Sequence, residues 1–413
     1  MTLSCAVQIV SAISDVPDLS NDYVTRVLAT PSDVDAAQWN ALLALAGGSP
    51  FMRQEYLAAL HDSGSAVRDT GWSPQFLTLW RDGELQAACP LYLKSHSYGE
   101  YVFDWAWANA YEQHGLRYYP KALTAVPFTP VPGPRLLARD AAARVALVRS
   151  VLAWCKQKKV SSWHALFADD EDVAACEQAG LMLRHTVQFH WINEGPGGGA
   201  DARYADFDAF LASLTQEKRK KIRQERRKVA EAGVRFRHAR GAAITPGDWD
   251  FFYRCYERTY LEHGNPPYLT RDFFRRMAAS MPENWLLFIA ERGGQPIASS
   301  LIGIEDGVAY GRYWGALQRV DCLHFEACYY QPLQWCIDHG FQRFEGGAQG
   351  EHKMARALMP VKTTSAHWLA HPAFADAVEK FLQREGRGIE NYMEHLEERS
   401  PFRHGDGGGG GSS

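Results

Sequence analysis

The sequence lacks the motifs of several common catalytic centres. It contains no Gly-x-Ser-x-Gly elbow, no P-loop and no catalytic Cys-His pattern, so hydrolase, kinase and thiol mechanisms have no support. Its 8 cysteines are scattered and form no CxxC pair, which is typical of reduced, buried thiols in a cytoplasmic protein. Cys322, His324 and Cys328 are close in the sequence, but their spacing fits no zinc pattern. We therefore expect no bound metal.

Long hydrophobic runs are also missing. No apolar run approaches the ~20 residues that a membrane helix needs. The start of the chain lacks the cationic segment of a signal peptide, and Gln8 interrupts its apolar run. A net charge of -4 at pH 7 argues against general attraction to nucleic acid, so any such contact has to be local. We expect a cytoplasmic protein without a transmembrane segment and without DNA as a partner.

The chain is long enough for two domains. It has 413 residues, of which 46% are hydrophobic and 22% charged, and one hydrophobic core rarely serves so long a chain. The breaker cluster EGPGGG at 194–199 is the best linker candidate. On both sides of it the patterns predict helix, helix, strand pair, strand, helix and strand, which indicates a duplicated α/β unit with mixed sheets. The predicted parts are an N-terminal extension (1–29), a first domain (30–195), a linker with a basic helix (196–232), a second domain (233–400) and a disordered Gly/Ser tail (401–413).

A cluster of glycines and charges stands out near the end of the second half, in FEGGAQGEHKMAR. Gly346, Gly347 and Gly350 predict bends or a close approach of other groups. An acid, an imidazole and two cations follow, which favours a strand-end site where a proton is handled and an anion is held. The alternative is a solvated loop before a helix. The predicted catalytic residues are Glu351, His352 and Lys353, with Gln349 and Arg356 as substrate-binding residues.

The helix expected at 323–340 is interrupted by Gln331-Pro332. Proline removes a backbone donor and restricts the residue before it, so this helix should kink or split near Tyr329. Three side chains near its start are candidates for the wall opposite the glycine loop: His324, Glu326 and Tyr330.

A strongly basic helix is predicted at 217–231. From Lys218 to Lys228 it carries eight Lys and Arg against one Glu. Its residues Arg219, Arg223 and Arg226 follow at i, i+4 and i+7 and share one face, which suits the phosphates of RNA or a pyrophosphate. The alternative is a solvated helix that packs through Ile222 and Val229.

The first half contains an aromatic-rich insertion between Lys94 and Lys121. Aromatic side chains with polar tips line grooves for a sugar, a base or an aromatic ligand. A packed lid over the first domain explains the same composition. The substrate-binding candidates in this insertion are His96, Asp104 and Trp105.

Four stretches resemble one bacterial family. EGGAQGEHKMARALMPVKTTSAHW closely resembles a segment of the FemAB-like proteins of peptidoglycan biosynthesis or recognition. SPFMRQEYLAALHDSGS, PLYLKSHSYGEYVFDWAWANAYEQHGLRYYPK and EKRKKIRQERRKVAEAGV resemble other parts of the same family. Together they extend over most of the chain from about 49 to 385. The resemblance implies kinship with the Fem aminoacyltransferases and the GNAT acyltransferases, and hence tandem GNAT-like (acyl-CoA N-acyltransferase-like) domains.

The resemblance also implies a reaction, the transfer of an acyl or aminoacyl group to an amine acceptor such as a peptidoglycan precursor. GNAT enzymes hold the CoA pyrophosphate in a glycine-containing loop, and the matching stretch 315–321 has no glycine after Gly315. Asp321 would oppose an anion there. This favours aminoacyl-tRNA over acyl-CoA as the donor, with no further cofactor. The remaining alternatives are an acetyl-CoA-dependent N-acetyltransferase and a non-catalytic protein that binds a cell-wall precursor or RNA.

Overall fold

The computed structural model describes residues 23–195, 202–348 and 350–403. Within these residues the chain forms two compact units. Unit 1 comprises the described residues of Met1–Thr186, Tyr268–Met281 and Lys362–Ile389. Unit 2 comprises those of Val187–Pro267, Pro282–Val361 and Glu390–Ser413.

These boundaries differ from the predicted domains 30–195 and 233–400. Two segments from the second half of the sequence, 268–281 and 362–389, belong to unit 1. Parts of three predicted segments lie outside the described residues, namely 1–22 of the extension, 196–201 of the linker and 404–413 of the tail.

The elements are numbered in chain order. The helices are α1 (Ala36–Leu45), α2 (Gln54–Asp62), α3 (Trp105–Gln113), α4 (Ala141–Lys158), α5 (Asp170–Gln178), α6 (Phe207–Ser213), α7 (Gln216–Glu231), α8 (Pro246–Glu262), α9 (Arg271–Ser280), α10 (Leu323–Phe325), α11 (Gln331–Asp338) and α12 (Pro372–Glu397). The strands are β1 (Val24–Leu28), β2 (Trp72–Pro74), β3 (Phe76–Arg81), β4 (Glu84–Cys89), β5 (Leu91–Lys94), β6 (Lys121–Thr124), β7 (Leu137–Ala138), β8 (Ser162–Ala168), β9 (Met182–Ile192), β10 (Val234–Arg240), β11 (Trp285–Arg292), β12 (Gln295–Glu305), β13 (Val308–Ala316), β14 (Arg343–Ala348) and β15 (Met359–Leu369). None of the helices in the described part of the chain has the length and apolar character needed to span a membrane.

Local sequence signals account for many of these boundaries. Asp82 and Gly83 connect β3 to β4 with positive φ values of 51° and 81°, the backbone conformation that a tight hairpin turn requires. The side chain of Asp140 accepts a hydrogen bond from the backbone of Ala143 at 2.7 Å and caps α4. Residues within a few positions of these two boundaries therefore decide them.

The strands of unit 1 form a mixed sheet and a smaller antiparallel one. The part of the mixed sheet that lies in unit 1 has the order β2-β5-β6-β8-β15, in which only β6 and β8 run parallel. The smaller sheet has the order β1-β3-β4-β7. Leu77 and Leu79 of β3 and Leu147 and Val151 of α4 belong to one buried core. Burial of these apolar side chains stabilises unit 1.

The sheet portion of unit 2 follows the same scheme. Its order is β10-β11-β12-β13-β14-β9, in which β13 and β14 run parallel and the other pairs antiparallel. Its buried core includes Phe288, Phe344 and Trp191 from the strands, with Tyr330 and Leu333 from the helical side. The predicted α/β class with mixed sheets is therefore confirmed.

The last strand of each unit comes from the other half of the sequence. In each, an antiparallel pair (β5–β6 or β12–β13) is followed by a parallel third strand (β8 or β14) and an antiparallel fourth strand. The fourth strand of unit 2 is β9, which ends the first half of the sequence. The fourth strand of unit 1 is β15, which comes near the end of the second half. This exchange explains why 362–389 belongs to unit 1.

The helix after β13 is split, as predicted from Gln331-Pro332. Its first piece, α10, passes into a π-helical turn at Glu326–Tyr330 and then into α11. Pro332 lies at the start of α11, where its missing N–H breaks no hydrogen bond of that helix. A π-helical turn adds one residue to the turn and often marks a functional site. The irregularity predicted near Tyr329 is this π-helical turn.

Candidate active site

A cavity opens in unit 2 where β13 and β14 separate. The two strands pair only through Val308–Tyr310 and Arg343–Glu345, although β13 continues to Ala316. Beyond this point β13 and β14 no longer pair among the described residues. The cavity has a volume of about 140 Å³ and is lined by Ser300, Ile302, Gly311, Arg312, Tyr313, Trp314, His324, Cys328, Tyr329, Phe344 and Gly346.

The π-helical turn forms one wall of this cavity. Ser300 of β12 donates a hydrogen bond to the carbonyl of Ala327 at 2.6 Å and ties the turn to the sheet. The rings of His324 and Tyr329 lie 5.8 Å apart, and both line the cavity. The turn therefore brings a titratable imidazole and a phenol to the same opening.

Tyr329 also contacts the glycine loop. Its hydroxyl lies 3.5 Å from Nε2 of His352, which belongs to the 3-10 turn Glu351–Arg356. This turn follows Gly350, whose φ of 104° is difficult for other residues. The predicted glycine bend therefore places His352 behind Tyr329.

Both imidazoles near the cavity are held uncharged. Burial, with smaller contributions from His352, Arg356 and Lys353, lowers the pKa of His324 to about 4. Burial also lowers the pKa of His352, again with Arg356 contributing. Burial raises the pKa of Tyr329, so its hydroxyl keeps its proton near neutral pH. The group at the cavity thus combines proton acceptors with a protonated phenol.

Lys353 is the predicted catalytic cation, and it is buried. Its Nζ donates hydrogen bonds to the carbonyls of Gly346 at 2.7 Å and Gly347 at 3.0 Å. Burial lowers its pKa to about 8. A Cβ at Gly346 would collide with Leu358, so this position needs glycine for close packing. Lys353 therefore fixes the backbone of the loop beside the cavity.

Arg356, a predicted substrate-binding residue, is committed to a buried ion pair. Its Nη2 lies 3.0 and 3.1 Å from the two carboxylate oxygens of Glu225 in α7, and its guanidinium stacks over the ring of Phe325 at 3.6 Å. Tyr330 donates a short hydrogen bond to the same carboxylate. Arg356 and Tyr330 thus join α7 to the glycine loop and the π-helical turn, and neither lines the cavity.

The predicted arginine face of α7 is divided by similar contacts. Arg226 donates to Glu326 at 3.1 Å and to Gln334 at 2.9 Å, so Glu326 faces α7 and does not line the cavity. Arg223 is exposed and lies 3.6 Å from Asp208. Arg219 is half-buried. Among these three arginines, Arg226 is held by hydrogen bonds to two side chains, and Arg223 by one longer ion pair.

Glu351, a predicted catalytic residue, lies on the surface with 47% of its side chain exposed. Its carboxylate accepts hydrogen bonds from Tyr392 at 2.8 Å and Arg399 at 3.2 Å. The hydrogen bond from Tyr392, helped by Arg399, holds the pKa of Glu351 below its usual value. These contacts favour a structural role, in which Glu351 attaches the turn to α12. Gln349, another predicted binding residue, lies outside the described residues.

We expect Glu351→Gln to leave turnover per folded molecule nearly unchanged, because a surface carboxylate with a lowered pKa is a poor base. The variant and the wild type should be compared in activity and melting temperature on the same preparation. A loss of turnover of about 10²-fold at unchanged stability would instead identify Glu351 as the catalytic base.

The candidates in the first half lie in unit 1. Asp104 is buried, with Ser97 at 2.6 Å and Lys121 at 2.5 Å. His96 is half-buried, and its Nδ1 accepts from the backbone of Tyr98 at 3.2 Å. Trp105 is exposed. The buried ion pair of Asp104 agrees with the packed-lid alternative for this residue.

The opening between parallel strands is closed in unit 1. Its parallel pair runs through Ala122–Thr124 and Trp163–Ala165. Beyond it the proline-rich segment 126–134 packs against β8, where the N–H of Gly133 donates to the carbonyl of Phe167 at 3.0 Å. The same strand scheme therefore gives a filled interior in unit 1 and a cavity in unit 2.

Most of the cavity residues were not among the sequence candidates, and Ser300, Trp314 and Tyr329 are examples. Ser300 and Trp314 lie within ordinary strands and carry no local signal. Tyr329 had one, because it precedes Pro332 by three positions in a helix that had to kink.

Comparison with known proteins assigns this chain to a family. The chain belongs to the FemAB-like family, described as peptidoglycan biosynthesis/recognition, whose model matches residues 30–404. The resemblance found in the sequence is confirmed. None of the curated protein sequences compared with this chain matches it.

Solved structures share the fold at low sequence identity. FemX is 11% identical, with 84% of this chain and 98% of that chain covered and a TM-score of 0.52. L-PGS from Bacillus licheniformis is 12% identical, with 84% and 97% covered and a TM-score of 0.51. The C-terminal domain of a putative lysylphosphatidylglycerol synthetase from Agrobacterium fabrum is 10% identical, with 86% and 97% covered and a TM-score of 0.50. At these identities the likeness concerns the fold, and function has to be argued from the site.

Proposed function

We propose that this chain is an N-acyltransferase of Fem type, which transfers an acyl or aminoacyl group to an amine in the cavity between β13 and β14. The observation that carries the proposal is that His324 and Tyr329 line one cavity, with Nε2 of His352 3.5 Å behind the hydroxyl of Tyr329. Membership of the FemAB-like family supports the reaction class.

The reaction forms a C–N bond and breaks the C–O bond of an ester donor. The attacking amine has to lose one proton, and the leaving oxygen has to gain one. Tyr329 lines the cavity, with His352 3.5 Å behind it. The amine gives its proton to the oxygen of Tyr329 while the proton of Tyr329 moves to His352. The reverse relay then delivers this proton to the leaving oxygen, so the pair ends unchanged.

The tetrahedral intermediate needs hydrogen-bond donors for its oxyanion. Lys353 acts as a positioning residue, because its bonds to the carbonyls of Gly346 and Gly347 turn these acceptors away from the developing negative charge.

The donor is proposed to be aminoacyl-tRNA, and the acceptor an amine of a peptidoglycan precursor. The loop after β13 leads into α10 through Asp321, whose carboxylate opposes an anion at this helix start. Cys322 precedes α10 in a left-handed conformation with φ of 64°, and Asp321 precedes Cys322. These features disfavour acyl-CoA bound in the usual GNAT manner.

We expect Tyr329→Phe to lower the rate of amide formation by about 10²-fold, because the relay loses its first member. The purified protein would be incubated with aminoacyl-tRNA or acetyl-CoA and a cell-wall precursor that carries an amine. His352→Gln should give a similar loss, whereas Tyr392→Phe, on the surface beside Glu351, serves as the matched control. Binding of the precursor or RNA without transfer from either donor would favour the non-catalytic alternative.

A further inference from the structure

The loop 95–104, which connects β5 to α3 in unit 1, has the reverse of the usual side-chain distribution. It contains neither helix nor strand, and its two carboxylates, Glu100 and Asp104, are buried. Val102 is the one large apolar side chain of the loop that is buried. Three aromatic side chains of the loop and of the start of α3 are exposed: Tyr98, Phe103 and Trp105. Hydrophobic burial therefore contributes little to holding this loop in place.

Two buried lysines contact the inner side of the loop. Lys94 ends β5 and Lys121 begins β6, and the two residues are directly opposite each other in this antiparallel pair. Both are fully buried. Like charges opposite each other on neighbouring strands repel, and a buried charge needs a partner. The two strand ends thus form a site that requires anions.

The carboxylates of the loop fill this site. Nζ of Lys121 lies 2.7 Å from Glu100 and 2.5 Å from Oδ2 of Asp104. Tyr118 donates a hydrogen bond to the same oxygen of Asp104 at 2.5 Å, and Ser97 donates to Oδ1 at 2.6 Å. Both oxygens of a planar carboxylate are therefore matched by donors, which suits a carboxylate better than a tetrahedral phosphate.

The loop satisfies the site incompletely. Oε1 of Glu100 is buried and has no hydrogen-bond partner among the described residues. Lys94 donates to the carbonyl of Tyr98 at 3.2 Å and lies over the ring of Trp72 at 3.6 Å. Burial lowers the pKa of Lys94 to about 7, although the charge of Glu100 opposes this shift. A small dianion that reached both lysines would neutralise them more fully than the loop does.

We propose that the loop 95–104 is a lid over a dicarboxylate-binding site, and that Glu100 and Asp104 occupy this site in place of the ligand while the lid is closed. Opening the lid returns its carboxylates and the lysines to water, and their hydration offsets the lost ion pairs. A dicarboxylate then supplies the same two anionic groups. The inference does not depend on acyl transfer, because it concerns binding to residues of unit 1.

Hydrogen–deuterium exchange of the unmodified protein tests the lid. Succinate is the probe, because it carries two carboxylates, and phosphate and chloride at equal ionic strength are compared with it. We expect succinate to speed amide exchange in 95–104 by about tenfold or more and to slow it at the adjoining ends of β5 and β6. Unchanged exchange in the loop would overturn the proposal, as would an effect of phosphate or chloride equal to that of succinate.

Two double variants that remove equal charge test the competition between lid and ligand. The lid variant is Glu100→Gln with Asp104→Asn, and the control is Glu112→Gln with Asp376→Asn at exposed positions of unit 1. By calorimetry the lid variant should bind succinate about tenfold or more tightly than the wild type, because its open fraction is larger. The control should match the wild type. Equal affinities in both variants would contradict the proposal, and the exchange measurement decides it if the lid variant does not fold.

A single variant separates the site from a general effect of salt. Lys94→Met removes one cation of the site and leaves the ion pairs of Lys121 in place. We expect it to abolish the response of the loop to succinate, whereas Lys159→Met, at the exposed end of α4, should keep that response. A full response in Lys94→Met would show that succinate acts elsewhere and would refute the site.

Discussion

Replacing Arg356 with methionine should lower the free energy of unfolding by about 3–5 kcal/mol. Arg356 is buried and forms a two-point ion pair with the buried carboxylate of Glu225. Methionine fills much of the same volume but leaves that carboxylate without its cation. Tyr330 still donates one hydrogen bond to it, which does not replace a full charge.

Urea unfolding of both proteins measures this difference. Arg399→Met is the matched control, because it removes the same group from an exposed ion pair with Glu351, and such pairs contribute little. The double variant with Glu225→Gln should recover part of the loss, since the uncompensated charge is then gone. A loss below about 1 kcal/mol in Arg356→Met would contradict the argument.

The second large effect is expected in unit 1. Lys121 is fully buried, with Glu100 at 2.7 Å and Asp104 at 2.5 Å from its Nζ. Burial by itself raises the pKa of Asp104, but the charge of Lys121 and the hydrogen bonds from Lys121 and Ser97 together outweigh it and hold this pKa below its usual range. Lys121→Met should therefore cost about 3–5 kcal/mol. Lys158→Met at the exposed end of α4 is the control and should cost little.

This variant should also change the response to pH. Burial raises the pKa of Glu100 from 4.5 to about 7, even with Lys121 opposing it. A raised carboxyl pKa means that the folded state binds the proton more tightly, so stability falls as pH rises from 4.5 through 7. In Lys121→Met we expect a larger loss of stability as pH rises, because Lys121 no longer opposes the rise in the pKa of Glu100. A Lys121→Met loss that is equal at pH 4.5 and pH 7.5 would contradict the assignment of charges.

The sequence was informative wherever one local constraint decides the backbone. Pro332 predicts the break in the helix because the missing N–H leaves few alternatives. Asp82-Gly83 predicts a hairpin because both residues accept positive φ. Gly350 predicts the bend before the charged turn for the same reason. In each case the physical cause lies within a few residues of the effect.

The site was only partly predictable because its contacts are long-range. His324 was found and lines the cavity. Arg356 and Arg226 look like phosphate ligands in the sequence, yet each pairs with a glutamate 100 or more positions away. No periodicity in a single sequence shows which cations such carboxylates neutralise.

The exchange of last strands between the units bears on how the chain is made. As the first half leaves the ribosome, β8 is exposed on one side until β15 is synthesised almost 200 residues later. Unpaired strand edges invite association with other chains, and native contacts between distant residues form slowly. Neither half expressed alone contains the full set of strands of its unit. Nascent chains should therefore depend on chaperones until β15 has emerged, and a split at the central linker should produce fragments that fold only together.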